Sequence, residues 1–96
     1  KRLSHLAFMD GYNYVYMLAP GLHKLSKNIL GTEYKYLGVN SYSDCCENLF
    51  IKGCKYPLDS FTLPKATSLG ASNEVISDDA EISFSKGELI ITHSND

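Results

Sequence analysis

The sequence predicts an α+β fold: a small antiparallel sheet built from an N-terminal and a C-terminal hairpin, with one or two short helices packed on it. Three observations predict it. Asp10-Gly11 lies between apolar and aromatic runs, Leu22, Leu25, Ile29 and Leu30 recur at helical spacing, and Lys86-Gly87 separates two alternating runs near the C-terminus.

Asp-Gly between hydrophobic runs is a strong signal for a two-residue hairpin loop, because both positions tolerate the positive φ that such turns require. A two-residue loop pairs Met9 with Tyr12, so Ala7 and Met9 share a face with Tyr12, Tyr14 and Tyr16. Pro20-Gly21 ends the second strand, and the apolar spacing that follows predicts an amphipathic helix over residues 21–30, with Gly31 as its C-terminal cap. A strand from Glu33 to Val39 follows, in which Tyr34 and Tyr36 alternate with Glu33 and Lys35.

Ser43 or Asp44 is placed to cap a second short helix that Gly53 stops. Tyr56-Pro57 opens an extended connection through Leu63-Pro64, and residues 65–74, rich in small and polar residues, read as loop. The second hairpin joins Ala80–Phe84 to Glu88–Thr92 through Lys86-Gly87, setting Phe84 against Leu89 and Ile82 against Ile91.

Ninety-six residues, 44% of them hydrophobic and including seven Tyr and four Phe, suit one small domain over 1–96 with a single core. The segment starts at Lys1-Arg2-Leu3 and is read as part of a longer polypeptide or a processed product. No apolar run approaches the roughly 18 residues that a membrane-spanning helix needs. The net charge of −2 hides an asymmetry: residues 1–65 carry eight Lys or Arg against five acids, and residues 66–96 carry Lys86 against six acids. That basic surplus is too small for phosphate-driven nucleic-acid binding to be favoured. Three cysteines, Cys45, Cys46 and Cys54, leave at least one thiol unpaired within the chain and favour a reducing, intracellular compartment, with a Cys46–Cys54 or Cys45–Cys54 bridge sterically possible.

Nothing in the pattern supplies a catalytic constellation. His5, His23 and His93 hold no fixed spacing to an acid or nucleophile, and adjacent Cys45 and Cys46 lack the spacing of a zinc knuckle. Asp78, Asp79 and Glu81 are not arranged as a calcium loop. The expected catalytic residues, metal and cofactor are therefore none. The residues with binding potential are Tyr12, Tyr14, Tyr16, Tyr34, Lys35 and Tyr36, an aromatic and basic set able to grip an extended peptide. Cross-strand aromatic pairs also stabilise sheets without binding anything. The expected function is a non-catalytic interaction module with a protein or peptide partner; the alternative is stacking of single-stranded nucleic acid on the same tyrosines.

Asp78-Asp79-Ala80-Glu81-Ile82-Ser83-Phe84-Ser85-Lys86-Gly87-Glu88-Leu89-Ile90 resembles the acidic loop and following strand of Src-homology-three domains, which would imply a binder of proline-rich peptides. Residues 68–95 resemble forkhead-associated domains, with Leu69-Gly70 and Ile76-Ser77 in the places of their glycine and serine motifs. The first match lacks the preceding aromatic strand and any Trp; the second lacks the arginine that reads phosphothreonine. No family is named from either.

Overall fold

Period-two burial, not helical periodicity, organises this chain. The structure, a computed structural model, describes residues 7–9, 13–29, 31–65 and 69–95. Among them are eleven strands and no helix: β1 (Ala7–Met9), β2 (Asn13–Leu18), β3 (Gly21–Ser26), β4 (Asn28–Ile29), β5 (Thr32–Glu33), β6 (Tyr36–Ser41), β7 (Cys45–Lys52), β8 (Leu58–Pro64), β9 (Leu69–Glu74), β10 (Asp79–Phe84) and β11 (Leu89–Ser94). The larger sheet has the order β1-β2-β11-β6-β9 and the smaller β3-β10-β7-β8, with β4-β5 as a separate ribbon. The orders β2-β11-β6-β9 and β3-β10-β7-β8 correspond, so a chain leaving one sheet enters the other at the same place in the order. Two sheets with inward residues alternating along each strand make a β-sandwich.

The inward set of the larger sheet includes Tyr16, Leu18, Leu37, Val39, Leu89 and Ile91; that of the smaller includes Leu25, Leu49, Ile51, Leu63, Ala80, Ile82 and Phe84. Each fully buried Leu, Ile or Phe contributes roughly 1.5–3 kcal/mol, so this layer dominates the fold's stability.

The α+β expectation is corrected to all-β. Of the expected helix, residues 21–26 form β3 and residues 28–29 form β4 of the ribbon, because Leu22 and Leu25 lie on opposite faces of a strand: Leu22 is 69% exposed and Leu25 is buried. Gly31, with φ of 87°, serves the turn between β4 and β5 instead of a helix cap. Residues 45–52 form β7, in which a register shift lets Cys46 and Leu49, three apart, both face inward. That spacing imitates a helix but arises from a bulge. Residues 69–74, expected as loop, are the edge strand β9. The strand expected over 33–39 is divided between β5 and β6 by Tyr34 and Lys35.

The N-terminal strands pair, with Met9 opposite Tyr14 instead of Tyr12. A shift of two residues keeps every side chain on its original face. The Asp10-Gly11 turn and Tyr12 lie outside the described residues.

The C-terminal hairpin is also corrected. β10 pairs with β3 and β7, whereas β11 pairs with β2 and β6. Ala80, Ile82 and Phe84 and then Leu89, Ile91 and His93 are all buried, and separate sheets let both runs face the same interior. The intervening arch is pinned by backbone bonds from Ser85 N to Glu47 O (2.9 Å) and from Glu47 N to Lys86 O (3.0 Å). Further on, Tyr42 N donates to Glu88 O at 2.8 Å and Glu88 N donates to Ser43 Oγ at 3.0 Å.

At the opposite end of β11, His93 is buried among aromatic rings. Its Nε2 lies 2.9 Å from the Tyr16 hydroxyl, its ring stacks on Tyr16 at 5.5 Å, and Tyr14 and Tyr34 lie 6.1 and 6.0 Å away. Nδ1 has no hydrogen-bond partner among the described residues. Burial lowers the imidazole pKa to about 4, and burial, followed by the neighbouring Tyr14, raises that of Tyr16 above the ordinary tyrosine range. Because the folded-state value lies below the unfolded one, this contribution to stability is complete above pH 6.5 and is lost as pH falls toward 4. The loss amounts to roughly 3 kcal/mol. Urea denaturation at pH 7 and pH 4 is expected to show it in the wild type, and a His93→Leu variant is expected to lose correspondingly less.

Candidate functional site

The sandwich is open where β8 and β9, the edge strands of the two sheets, lie. There a cavity of about 220 Å³ is lined by Val39 of β6, Leu49 and Ile51 of β7, Leu58 and Leu63 of β8, Asn73 of β9, and Tyr56. It exceeds the ~150 Å³ of an apolar cavity that accommodates benzene. Among the described residues its walls carry no charged side chain, so it suits an aromatic ring rather than an anion.

The chain reaches this site through a close crossing. Gly53, with φ of 81°, follows β7, and a Cβ there would lie 2.5 Å from Asp79 O. Only glycine permits that approach. Gly53 O accepts from Ile76 N at 2.9 Å, Cys54 bridges Val75, and Lys55 N donates to Glu74 O at 2.8 Å. Burial pushes the Cys54 thiol up to about 11, which keeps it protonated and unreactive near neutrality.

Asn73 completes the crossing. Its Oδ1 accepts from the backbone N–H of Tyr56 at 3.0 Å and of Glu74 at 2.9 Å, and its Nδ2 donates to Tyr56 O at 3.0 Å. The two bonds to Tyr56 fix the amide's orientation, since an N–H needs the oxygen and a C=O needs the nitrogen. The other Nδ2 hydrogen has no partner among the described residues. Tyr56, 58% exposed, stands at the mouth, and Lys55 Nζ lies 5.6 Å over its ring, a geometry in which the π face attracts a cation.

The structure places the sequence-predicted residues elsewhere. Tyr14, Tyr16 and Tyr34 are brought together around His93, with Tyr16 and Tyr34 buried. Lys35 is exposed, paired with Glu74 at 3.8 Å and 5.3 Å over the ring of Tyr36, which is half-buried. Tyr12 is outside the described residues. The set is therefore divided between interior and surface.

The sequence profile of the thiamin pyrophosphokinase, vitamin B1 binding domain, matches residues 23–89. The chain belongs to this family. The described residues lining the cavity all fall within the matched segment. A thiamine pyrophosphokinase of Bacillus subtilis is 30% identical over 91 residues, which cover 95% of this chain and 41% of that protein. The crystal structure of the Bacillus subtilis thiamine pyrophosphokinase superposes with a TM-score of 0.85 at 30% identity, covering 94% of this chain and 41% of that one. A thiamin pyrophosphokinase family protein from Enterococcus faecalis gives 0.82 at 31% identity, with 94% and 40% covered. The chain thus spans about two fifths of the length of these relatives.

Membership in the thiamin pyrophosphokinase family corrects the expectation of a non-catalytic peptide-binding module, and with it the nucleic-acid alternative: the relatives are named as enzymes, and this is a domain of their family. Sequence reasoning passed over Tyr56 and Asn73. Tyr56-Pro57 reads as a connection and Asn73 as a loop residue, because a single sequence does not reveal that a polar side chain faces inward to hold a neighbouring backbone. Among the described residues no helix is long and apolar enough to cross a membrane, and no group of three His, Cys, Asp or Glu is placed to hold a metal.

Proposed function

We propose that this chain is the thiamine-holding domain of a protein that transfers a pyrophosphoryl group to thiamine. The observation that carries the reading is the uncharged cavity with one amide and an aromatic lip, lying wholly within the family-matched segment. Thiamine offers a methyl-substituted aminopyrimidine, a permanently cationic thiazolium and a hydroxyethyl arm. The pyrimidine enters the cavity against Leu49, Leu58 and Leu63, and the remaining Nδ2 hydrogen of Asn73 donates to a ring nitrogen. The thiazolium meets the exposed Tyr56 ring, displacing the Lys55 ammonium that rests over it, and the hydroxyl is left outward as the phosphoryl acceptor.

Calorimetric titration tests this. Thiamine is expected to bind saturably, and Tyr56→Ala to weaken binding about tenfold, the equivalent of losing one aromatic–cation contact. Wild-type protein that shows no saturable thiamine binding contradicts the reading.

A further inference from the structure

The β7–β8 hairpin forming one wall of the cavity is irregular in a specific way. Cys46 opposes Leu63, Leu49 opposes Phe61 and Ile51 opposes Leu58. Between the first two pairs β7 has two residues against one on β8; between the second and third, β8 has two against one on β7. Each strand carries one extra residue, so the hairpin contains two adjacent bulges of opposite sense. Asn48 (φ 58°) and Ser60 (φ 52°) sit at these steps, and they are the non-glycine residues with positive φ among those described. Asparagine is one of the few side-chain-bearing residues that adopts this conformation readily.

The bulges decide what faces the ligand. An extra residue turns an odd spacing into a same-face relation, which puts Leu49 inward with Cys46, and Leu58 inward with Phe61. Leu49 and Leu58 both line the cavity. Their phase is set by the bulges and not by a regular ladder.

One side chain ties the irregularity together. Asn48 Nδ2 donates to Ser85 Oγ at 3.0 Å, and Asn48 Oδ1 accepts from Ser60 Oγ at 3.3 Å. Ser85 Oγ in turn donates to Glu47 O at 3.4 Å. The amide therefore joins the β7 bulge, the β8 bulge and the arch that follows β10. We propose that Asn48 is a positioning residue for the cavity, fixing the wall formed by Leu49 and Leu58 and so the fit to thiamine's pyrimidine; this rests on the thiamine reading above.

Two variants separate positioning from folding. Asn48→Gly retains the positive φ and removes the amide; Asn48→Asp retains the acceptor for Ser60 and removes the donor to Ser85. Thiamine dissociation constants are measured for both, alongside those for an analogue with propyl in place of the pyrimidine methyl, and the Leu49, Leu58 and Leu63 methyl resonances are followed by NMR. In Asn48→Gly, thiamine affinity is expected to fall about tenfold and the preference over the bulkier analogue to narrow, as a displaced wall requires. Asn48→Asp is expected to lie between Asn48→Gly and wild type. Shifted methyl resonances support the positioning role even if thiamine fails to bind the wild type, a result that would overturn only the functional reading. Unchanged methyl resonances together with unchanged preference in a folded variant overturn the proposal.

Discussion

Asn73→Ala is expected to destabilise the fold by about 3 kcal/mol and to raise the thiamine dissociation constant at least about tenfold. The side chain is buried and satisfies both backbone groups of Tyr56 as well as the N–H of Glu74. Alanine removes three hydrogen bonds from a partly buried site, each contributing about 0.5–1.5 kcal/mol. The same change releases Tyr56 from β9, while Lys55 keeps its backbone bond to Glu74, so Tyr56 no longer holds its place at the mouth. Asn73→Asp is the sharper probe. It keeps the acceptor for Tyr56 N but loses the donor to Tyr56 O and introduces a charge facing an apolar cavity. Urea denaturation and thiamine calorimetry on both variants check the two effects separately.

Gly87→Ala is expected to be more damaging, by about 3–5 kcal/mol, without any direct effect on the cavity. Gly87 has φ of 101°, a conformation that side chains rarely adopt, and a Cβ there would collide with Cys45 O and lie 2.8 Å from Cys46 Sγ and Ser43 Oγ. None of these can retreat cheaply. Cys46 is buried in the core and its thiol donates to Glu88 O at 3.2 Å, while Ser43 Oγ accepts from Glu88 N. The strain is therefore applied where the β10–β11 arch locks onto β7, the junction that holds the two sheets in correspondence. Thermal denaturation of Gly87→Ala beside wild type measures it, with a fall in Tm well above 10 °C expected for a domain of this size.

The individual strands were more legible in the sequence than their partnerships. Alternation in Tyr14-Val15-Tyr16 and in Ala80–Phe84 and Glu88–Thr92 identifies chain that runs extended over most of those spans, and Pro20-Gly21 and Gly53 mark strand boundaries. What misled was spacing of three and four. Leu22 and Leu25 have that spacing because one faces solvent and the other the core; Cys46 and Leu49 have it because a bulge adds a residue. Neither distinction exists until a second sheet defines inside and outside. The Lys86-Gly87 segment failed differently: a glycine with positive φ serves a hairpin loop and an arch between sheets equally well, and the contacts that choose the arch come from Glu47 and Ser43, about forty residues away in sequence. The cavity was hidden for the same reason. Its walls come from β6, β7, β8 and β9, and its amide is indistinguishable from a loop residue until Tyr56 is placed beside it.

Chemical-shift mapping with thiamine gives the most direct test of the central claim. Perturbations are predicted to concentrate on the methyl groups of Val39, Leu49, Leu58 and Leu63 and on the side-chain amide of Asn73. Saturable shifts that instead centre on Tyr36 and Lys35, leaving those groups unmoved, would contradict the assignment of the cavity as the thiamine site.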